Sequence, residues 1–329
     1  MIGRTLKRTI KRTLASPWGW RLVGPLVRPA GVIVLMYHRI VDRDRSLEGL
    51  PLETFTAQMR WLRAHCDPIA PETIVEHARD GGRARPAVLV TFDDGYRDYH
   101  DLAYPVLREL GIPTLVFLAT SFLDDEGMLW TDAVQWAALS TRRDQVRLPW
   151  PDRSTKGSAI ALPDSGARAA LGARARDHLK KLPDDERRAA MAALLDELGA
   201  PPLRPREMLS WEEARRTMDL TRFGGHTHTH PILSRLERAA AEREIRTCRD
   251  RIAAEIGVAP TAFAYPNGRP EDYTVETQEI LRGLGFTAAY ATSEGIAGPQ
   301  TDWMAVKRLP AVGGDVADFA WIATSRSRA

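Results

Sequence analysis

Six short apolar runs, each bounded by proline, glycine or charge, alternate along this chain with amphipathic segments, and that alternation limits the fold more than any other feature. The runs are GVIVLMYH (31–38), PAVLVTF (86–92), IPTLVFLA (112–119), RFGGH (222–226), TAFAYP (261–266) and FTAAYAT (286–292), and they read as buried strands. Between them TFTAQMRWLRAH, RDYHDLAYPVLREL, AAAEREIRTCRDRIAAEIG and VETQEILRGLG space Leu, Ile and aromatic residues as amphipathic helices do. Repeated strand–helix units imply a largely parallel sheet with both faces covered, or a barrel. A chain of 329 residues is ample for a large core of this kind.

One region breaks the rhythm. From about residue 123 to 210 the strand signal disappears: STRRDQVRLPWPDRSTKGSAIALPDSG is loop-like, while ARAALGARARDHLKKL and DDERRAAMAALLDELG are helical, the second started by Pro183 and Asp184. This reads as a helical insertion between barrel units. The expected organisation is an extension over 1–30 and one α/β domain over 31–329 that carries the insertion.

Charge and cysteine usage narrow the function classes. The composition, 44% hydrophobic and 27% charged, is that of a globular protein, and a formal charge of +3 is too small to argue for nucleic acid. The positive charge is concentrated at the start, where Arg4, Lys7, Arg8, Lys11, Arg12, Arg21 and Arg28 precede the first acidic residue, Asp42. Ile2, Leu6, Ile10 and Leu14 recur every four residues among these cations, followed by Trp18 and Trp20, as in an interfacial helix. A peripheral membrane contact through residues 1–28 is one reading, and a solvated basic extension is the other. The segment lacks the apolar stretch of a signal peptide, which makes the cytoplasm, or the inner face of its membrane, the expected location. Cys66 and Cys248 form no CxxC and read as buried free thiols.

Two short stretches carry chemistry. In GGHTHTHP (224–231) three histidines alternate. A strand would put His226, His228 and His230 on one face, whereas a helical turn would align His226 with His230 and turn His228 aside. Pro231 disfavours helix at His230, so the local pattern leaves both geometries open. In VTFDDGY (90–96) a buried strand runs into two adjacent carboxylates and a glycine. A catalytic zinc takes three protein ligands and leaves one position for water. Asp94 with two of the histidines would supply that set, and Asp93 would remain as a base. Strand ends meet on one face of a parallel barrel, so residues far apart in sequence converge there.

TFDDGY followed by HTHTHP resembles the first two signature motifs of the polysaccharide deacetylase family, carbohydrate esterase family 4, over about residues 31 to 310. The resemblance implies a distorted (β/α) barrel of about seven parallel strands. It implies a divalent metal, zinc first with cobalt or nickel as alternatives, bound by Asp94, His226 and His230, with Asp93 as catalytic base. His228 falls on a variable position and is expected beyond the ligands. The Leu-x-His that most members place near the C-terminus is missing. His38, at the end of VLMYHRI, takes its place as candidate acid, as in the circularly permuted poly-N-acetylglucosamine deacetylases. The family's Arg-x-Pro-Tyr is here FAYPNG, with Ala264 at the arginine position and Asn267 at the tyrosine position. Arg308, in VKRLP, is the candidate replacement cation, and Asn267 with Tyr265 is the candidate oxyanion and substrate region. Trp130, Trp136 and Trp150 are candidate platforms for sugar rings.

The reaction so implied removes an N-acetyl group from an amino sugar in a polysaccharide, oligosaccharide or lipid-linked precursor: a metal-bound water attacks the amide, Asp93 takes its proton and His38 protonates the leaving nitrogen. The partner is then an N-acetylated glycan. Removal of a formyl group, opening of a cyclic amide, and a glycan-binding scaffold without activity are the competing readings.

Overall fold

The computed structural model describes residues 31–42, 48–80, 85–124, 127–151, 158–199, 206–311 and 316–322, so the expectations for residues 1–30 lie outside the described residues. Seven parallel strands form a curled sheet: β1 (Val32–Tyr37), β2 (Ala87–Phe92), β3 (Thr114–Leu118), β4 (Thr221–Gly225), β5 (Ala262–Ala264), β6 (Ala288–Tyr290) and β7 (Leu309–Pro310). Their spatial order is β6-β5-β4-β3-β2-β1-β7, and an eighth strand of two residues, Asp67–Pro68, pairs beside the start of β2. Six of the seven were legible as apolar runs. The last closes the ring, because Val306 bridges Tyr290 and exchanges backbone hydrogen bonds with Ala289 and Ala291, while Leu309 and Pro310 pair with Leu35 and Met36.

Alternation along the strands sorts the core into two layers. Val34, Leu89, Leu115, Phe117, Ala264, Tyr290 and Val306 fill the barrel interior. Their neighbours Ile33, Leu35, Val88, Val90, Phe92, Val116 and Leu118 face the helices, where they meet Phe55, Met59 and Leu62 of the helix Leu52–His65 and Cys248 and Ile252 of the helix Arg238–Ile256. Each such apolar side chain contributes about 1.5–3 kcal/mol by leaving water. The strand ends as Phe-Gly-Gly for a steric reason: a Cβ on Gly224 would lie 2.6 Å from the Phe117 ring and 2.8 Å from the Ala262 carbonyl oxygen.

The insertion packs three helices, Trp130–Ser140, Ser165–Leu179 and Asp184–Leu198, around an apolar cluster of its own that includes Val134, Leu171, Leu179, Leu194 and Leu198. The stretch expected to be loop between them also contains a short antiparallel ladder, Gln145–Val146 with Ile160–Ala161. Among the described residues no helix is long and apolar enough to cross a membrane. Both cysteines are buried and free.

Candidate active site

Because every main strand points the same way, β1, β2, β4 and β5 deliver their following residues, His38, Asp93–Asp94, His226 and Tyr265–Asn267, to one end of the ring. The histidine loop is neither strand nor helix. His226 follows the last residue of β4, and the backbone then turns left-handed at Thr227 (φ 64°) and His230 (φ 57°). Asp94 (φ 75°) and Asn267 (φ 58°) complete the described non-glycine residues in that region of backbone space, and all four lie in the loops the sequence motifs singled out. Such conformations cost energy and persist where surrounding contacts enforce them. Enforcement is visible here: Thr120 N–H and Ser121 N–H donate to the carbonyls of Thr227 and His228. From the other side Glu244 accepts from the backbone N–H of His228 at 2.9 Å and of Thr229 at 2.8 Å.

This backbone brings Asp94, His226 and His230 together as a buried triad. Asp94 Oδ1 lies 3.2 Å from His226 Nε2 and 3.3 Å from His230 Nε2, and the two nitrogens are 3.2 Å apart. A tetrahedron with edges of that length has its centre about 2.0 Å from each corner, the distance at which zinc binds imidazole nitrogen and carboxylate oxygen. The donor chemistry fits as well. His226 Nδ1 is 2.7 Å from the Ala264 carbonyl, which can only accept, so Nδ1 carries the hydrogen, and in the neutral form of the ring Nε2 turns a lone pair inward. Asp94 Oδ1 is a buried carboxylate oxygen without a hydrogen-bond donor, and a cation at the centre is what would satisfy it. Burial alone would raise the Asp94 carboxyl, but His226 and His230 against it hold it well below the usual range. Burial lowers His230, whereas Asp94 and Asp93 overcome burial and raise His226. A second grouping, His100, Asp101 and Glu213, differs in kind, because Arg97 and Arg206 already hold the Glu213 carboxylate.

Asp93 stands beside the triad, gripped from inside the barrel. Arg308, fully buried, donates from its two terminal nitrogens to both carboxylate oxygens at 2.6 and 2.8 Å, and its Nε donates to the Ala291 carbonyl at 2.9 Å. Burial would raise the Asp93 carboxyl; the guanidinium outweighs it and holds the group below its ordinary value. His38 Nε2 lies 3.8 Å from Asp93 Oδ2 with its side chain 47% exposed, so it faces both the carboxylate and the solvent.

Other candidates are elsewhere. His228 turns from the triad and pairs through Nδ1 with Thr120 Oγ1 at 2.9 Å. Tyr265 has both donors occupied away from the centre, its phenol on the Met304 carbonyl at 2.8 Å and its N–H on the Tyr290 carbonyl at 3.1 Å, because the alternation that puts Ala264 inside puts Tyr265 outside. Of the three tryptophans, Trp130 is buried beneath the Arg187 guanidinium, Trp150 is half-buried and stacked on His178, and Trp136 is half-buried on the helix Trp130–Ser140. Trp130 Nε1 reaches the His230 carbonyl at 3.4 Å. Sequence reasoning missed Glu244, and it missed the link between barrel and insertion in which Tyr96 donates to Asp132 at 2.8 Å and Arg39 joins Asp98, Asp132 and Glu207. These are contacts between distant segments that leave no local pattern.

Comparisons with known proteins give the chain's family and its fold. The profile of the family described as Polysaccharide deacetylase matches residues 80–153 and 170–289, more than half of the chain. Poly-beta-1,6-N-acetyl-D-glucosamine N-deacetylase of Escherichia coli K12 is 28% identical over 99 residues, 29% of this chain and 15% of that protein. Across the curated relatives the matched stretches amount to between 15% and 37% of their own lengths. Among solved structures, Streptococcus pyogenes deacetylase PplD in complex with acetate superposes with a TM-score of 0.60 at 16% identity, covering 90% of this chain and 99% of that one. IcaB from Ammonifex degensii gives 0.58 at 19% identity over 91% and 99%. At such identities the likeness is one of fold.

Proposed function

This chain belongs to the polysaccharide deacetylase family, and from that premise we propose that it is a divalent-metal-dependent hydrolase that removes the N-acetyl group from an amino sugar within a glycan. The observation that carries the reading is the regular triangle of Asp94 Oδ1, His226 Nε2 and His230 Nε2, with a guanidinium-held carboxylate, Asp93, next to it. A divalent ion held by those three donors supplies Lewis acidity toward an amide carbonyl and lowers the pKa of water.

The chain's own residues supply the rest. Asp93, kept ionised by Arg308, accepts the proton of the attacking water. His38, at the solvent side of Asp93, delivers a proton to the departing nitrogen, leaving acetate and a free amine. The backbone N–H of Asn267, in its left-handed turn, is the candidate donor to the developing oxyanion. Arg308 orients Asp93 and takes the place of the arginine that Ala264 lacks.

The test is a calorimetric zinc titration of metal-stripped protein, followed by amine release from a β-1,6-linked N-acetylglucosamine tetramer. Binding of about one zinc that is lost in Asp94→Ala and kept in His228→Ala, with amine release abolished by chelation and restored by zinc, is the expected result. Zinc binding indifferent to Asp94→Ala would overturn the site, and tight zinc binding without amine release would redirect the search to formyl or cyclic amides.

A further inference from the structure

His38 differs from the other groups of the site in how it is held. Asp93 is gripped by a guanidinium, and Asp94, His226 and His230 are buried against one another. The His38 side chain is 47% exposed, faces Asp93 Oδ2 at 3.8 Å and makes no hydrogen bond among the described residues. A side chain this open keeps its place through its backbone, and a misplacement of about 1 Å can cost a reaction about 100-fold.

That backbone is pinned on both sides. Before His38, the Tyr37 carbonyl accepts from the Asp93 N–H at 2.9 Å, which keeps the end of β1 in register with β2. After it, the buried carboxylate of Asp98 takes two consecutive residues at once: Oδ2 accepts from Arg39 Nε at 3.2 Å, and Oδ1 accepts from the Ile40 N–H at 3.0 Å. Arg39 is buried as well. Its guanidinium lies 4.4 Å from the centre of the Tyr96 ring, donates to Glu207 and stands 3.5 Å from Asp132. Replacing a buried ion pair by apolar packing is often neutral or stabilising, so stability alone gives little reason for a carboxylate at Asp98. What this carboxylate does secure is the path of the chain directly after His38.

We propose that Asp98, acting with Arg39, is a positioning residue for His38, holding the loop after β1 so that the imidazole stays within reach of the departing nitrogen. The proposal rests on the hydrolase reading above, in which His38 is the acid. Asp132 lies near the start of the insertion and Glu207 near its end, so Arg39 also ties both ends of the insertion to the residue that follows the acid.

The test separates the proton donor from the rest of the site by leaving group. An amine needs a proton in order to leave, whereas the nitrophenolate of para-nitrophenyl acetate departs without one. In zinc-loaded protein, Asp98→Asn should cut kcat for the β-1,6-linked N-acetylglucosamine tetramer about 10–100-fold with KM unchanged, and ester hydrolysis by less than about twofold. Arg39→Lys keeps the charge but not the Nε donor; it should show a smaller loss of the same kind, and it carries the test if Asp98→Asn does not fold. In a His38→Gln background either substitution should add no further loss. A loss that falls equally on amide and ester, or that multiplies with that of His38→Gln, would overturn the assignment. Histidine-ring NMR on the same samples reads the position without turnover. The His38 signal, identified by its absence in His38→Gln, should shift in the variants while those of His226 and His230 stay, and an unmoved His38 signal would equally overturn it. Wild type that hydrolyses neither substrate, with the His38 signal shifted in the variants, would count against the hydrolase reading alone.

Discussion

At the scale of single residues, Arg308 is the group that secures an ionised Asp93, with both terminal nitrogens on its carboxylate. Removing one partner of a buried pair leaves the other charge uncompensated, so Arg308→Met should lower the unfolding free energy by about 3–5 kcal/mol in urea titrations. Arg308→Lys restores charge without the two-pronged grip and should recover stability better than it recovers kcat. The position was legible because alternation carries Val306 and Arg308 to the interior just as it carries Leu89, Thr91 and Asp93 there. The same rule, applied at Ala264, would have turned Tyr265 outward. Asp94, His226 and His230 were legible for another reason: each sits within a few residues of a strand end, so a local motif suffices. Burial pushes the thiols of Cys66 and Cys248 up to about 12. Neither should react with an aromatic disulfide reagent at pH 8 until the protein is unfolded, and a fast-reacting thiol in the native protein would contradict the packing.

At the scale of elements, the histidine loop depends on the helix Arg238–Ile256, whose Glu244 collects two backbone amides and the Thr229 hydroxyl at 2.8 Å. Glu244→Ala should weaken zinc binding by about 10–100-fold while leaving the far-ultraviolet circular dichroism spectrum unchanged, since it loosens the support of a ligand and not the ligand itself. In β4 the demand is steric. Gly224→Ala forces a methyl toward the Phe117 ring and the Ala262 carbonyl and should cost about 1–3 kcal/mol or more in denaturant titrations. The long strands and helices were readable from periodicity. The two-residue strand Leu309–Pro310, the ladder in the insertion and the helix Trp130–Ser140 were not, because two residues hold no period and WTDAVQWAALS is apolar on most of its circumference.

At the scale of the whole molecule, barrel and insertion keep separate apolar clusters, joined by polar contacts such as Tyr96 with Asp132 and by packing around Trp130. Hydrogen exchange should therefore report lower protection for the helices Ser165–Leu179 and Asp184–Leu198 than for β1 to β4, and equal protection would show that the two unfold as one unit. Closure of the ring has a further consequence for a chain made from its N-terminus. Among the strands of the sheet β1 is the first to emerge, and its partner on one side, Leu309–Pro310, is the last. At roughly 5–20 residues per second that strand edge stays open on the ribosome for tens of seconds, free to pair with a neighbouring nascent chain. Throughout the final part of that interval Asp94, His226 and His230 are already synthesised, while the arginine that holds Asp93 is not, so a translation product halted before residue 306 would carry the whole triad on a barrel that cannot shut.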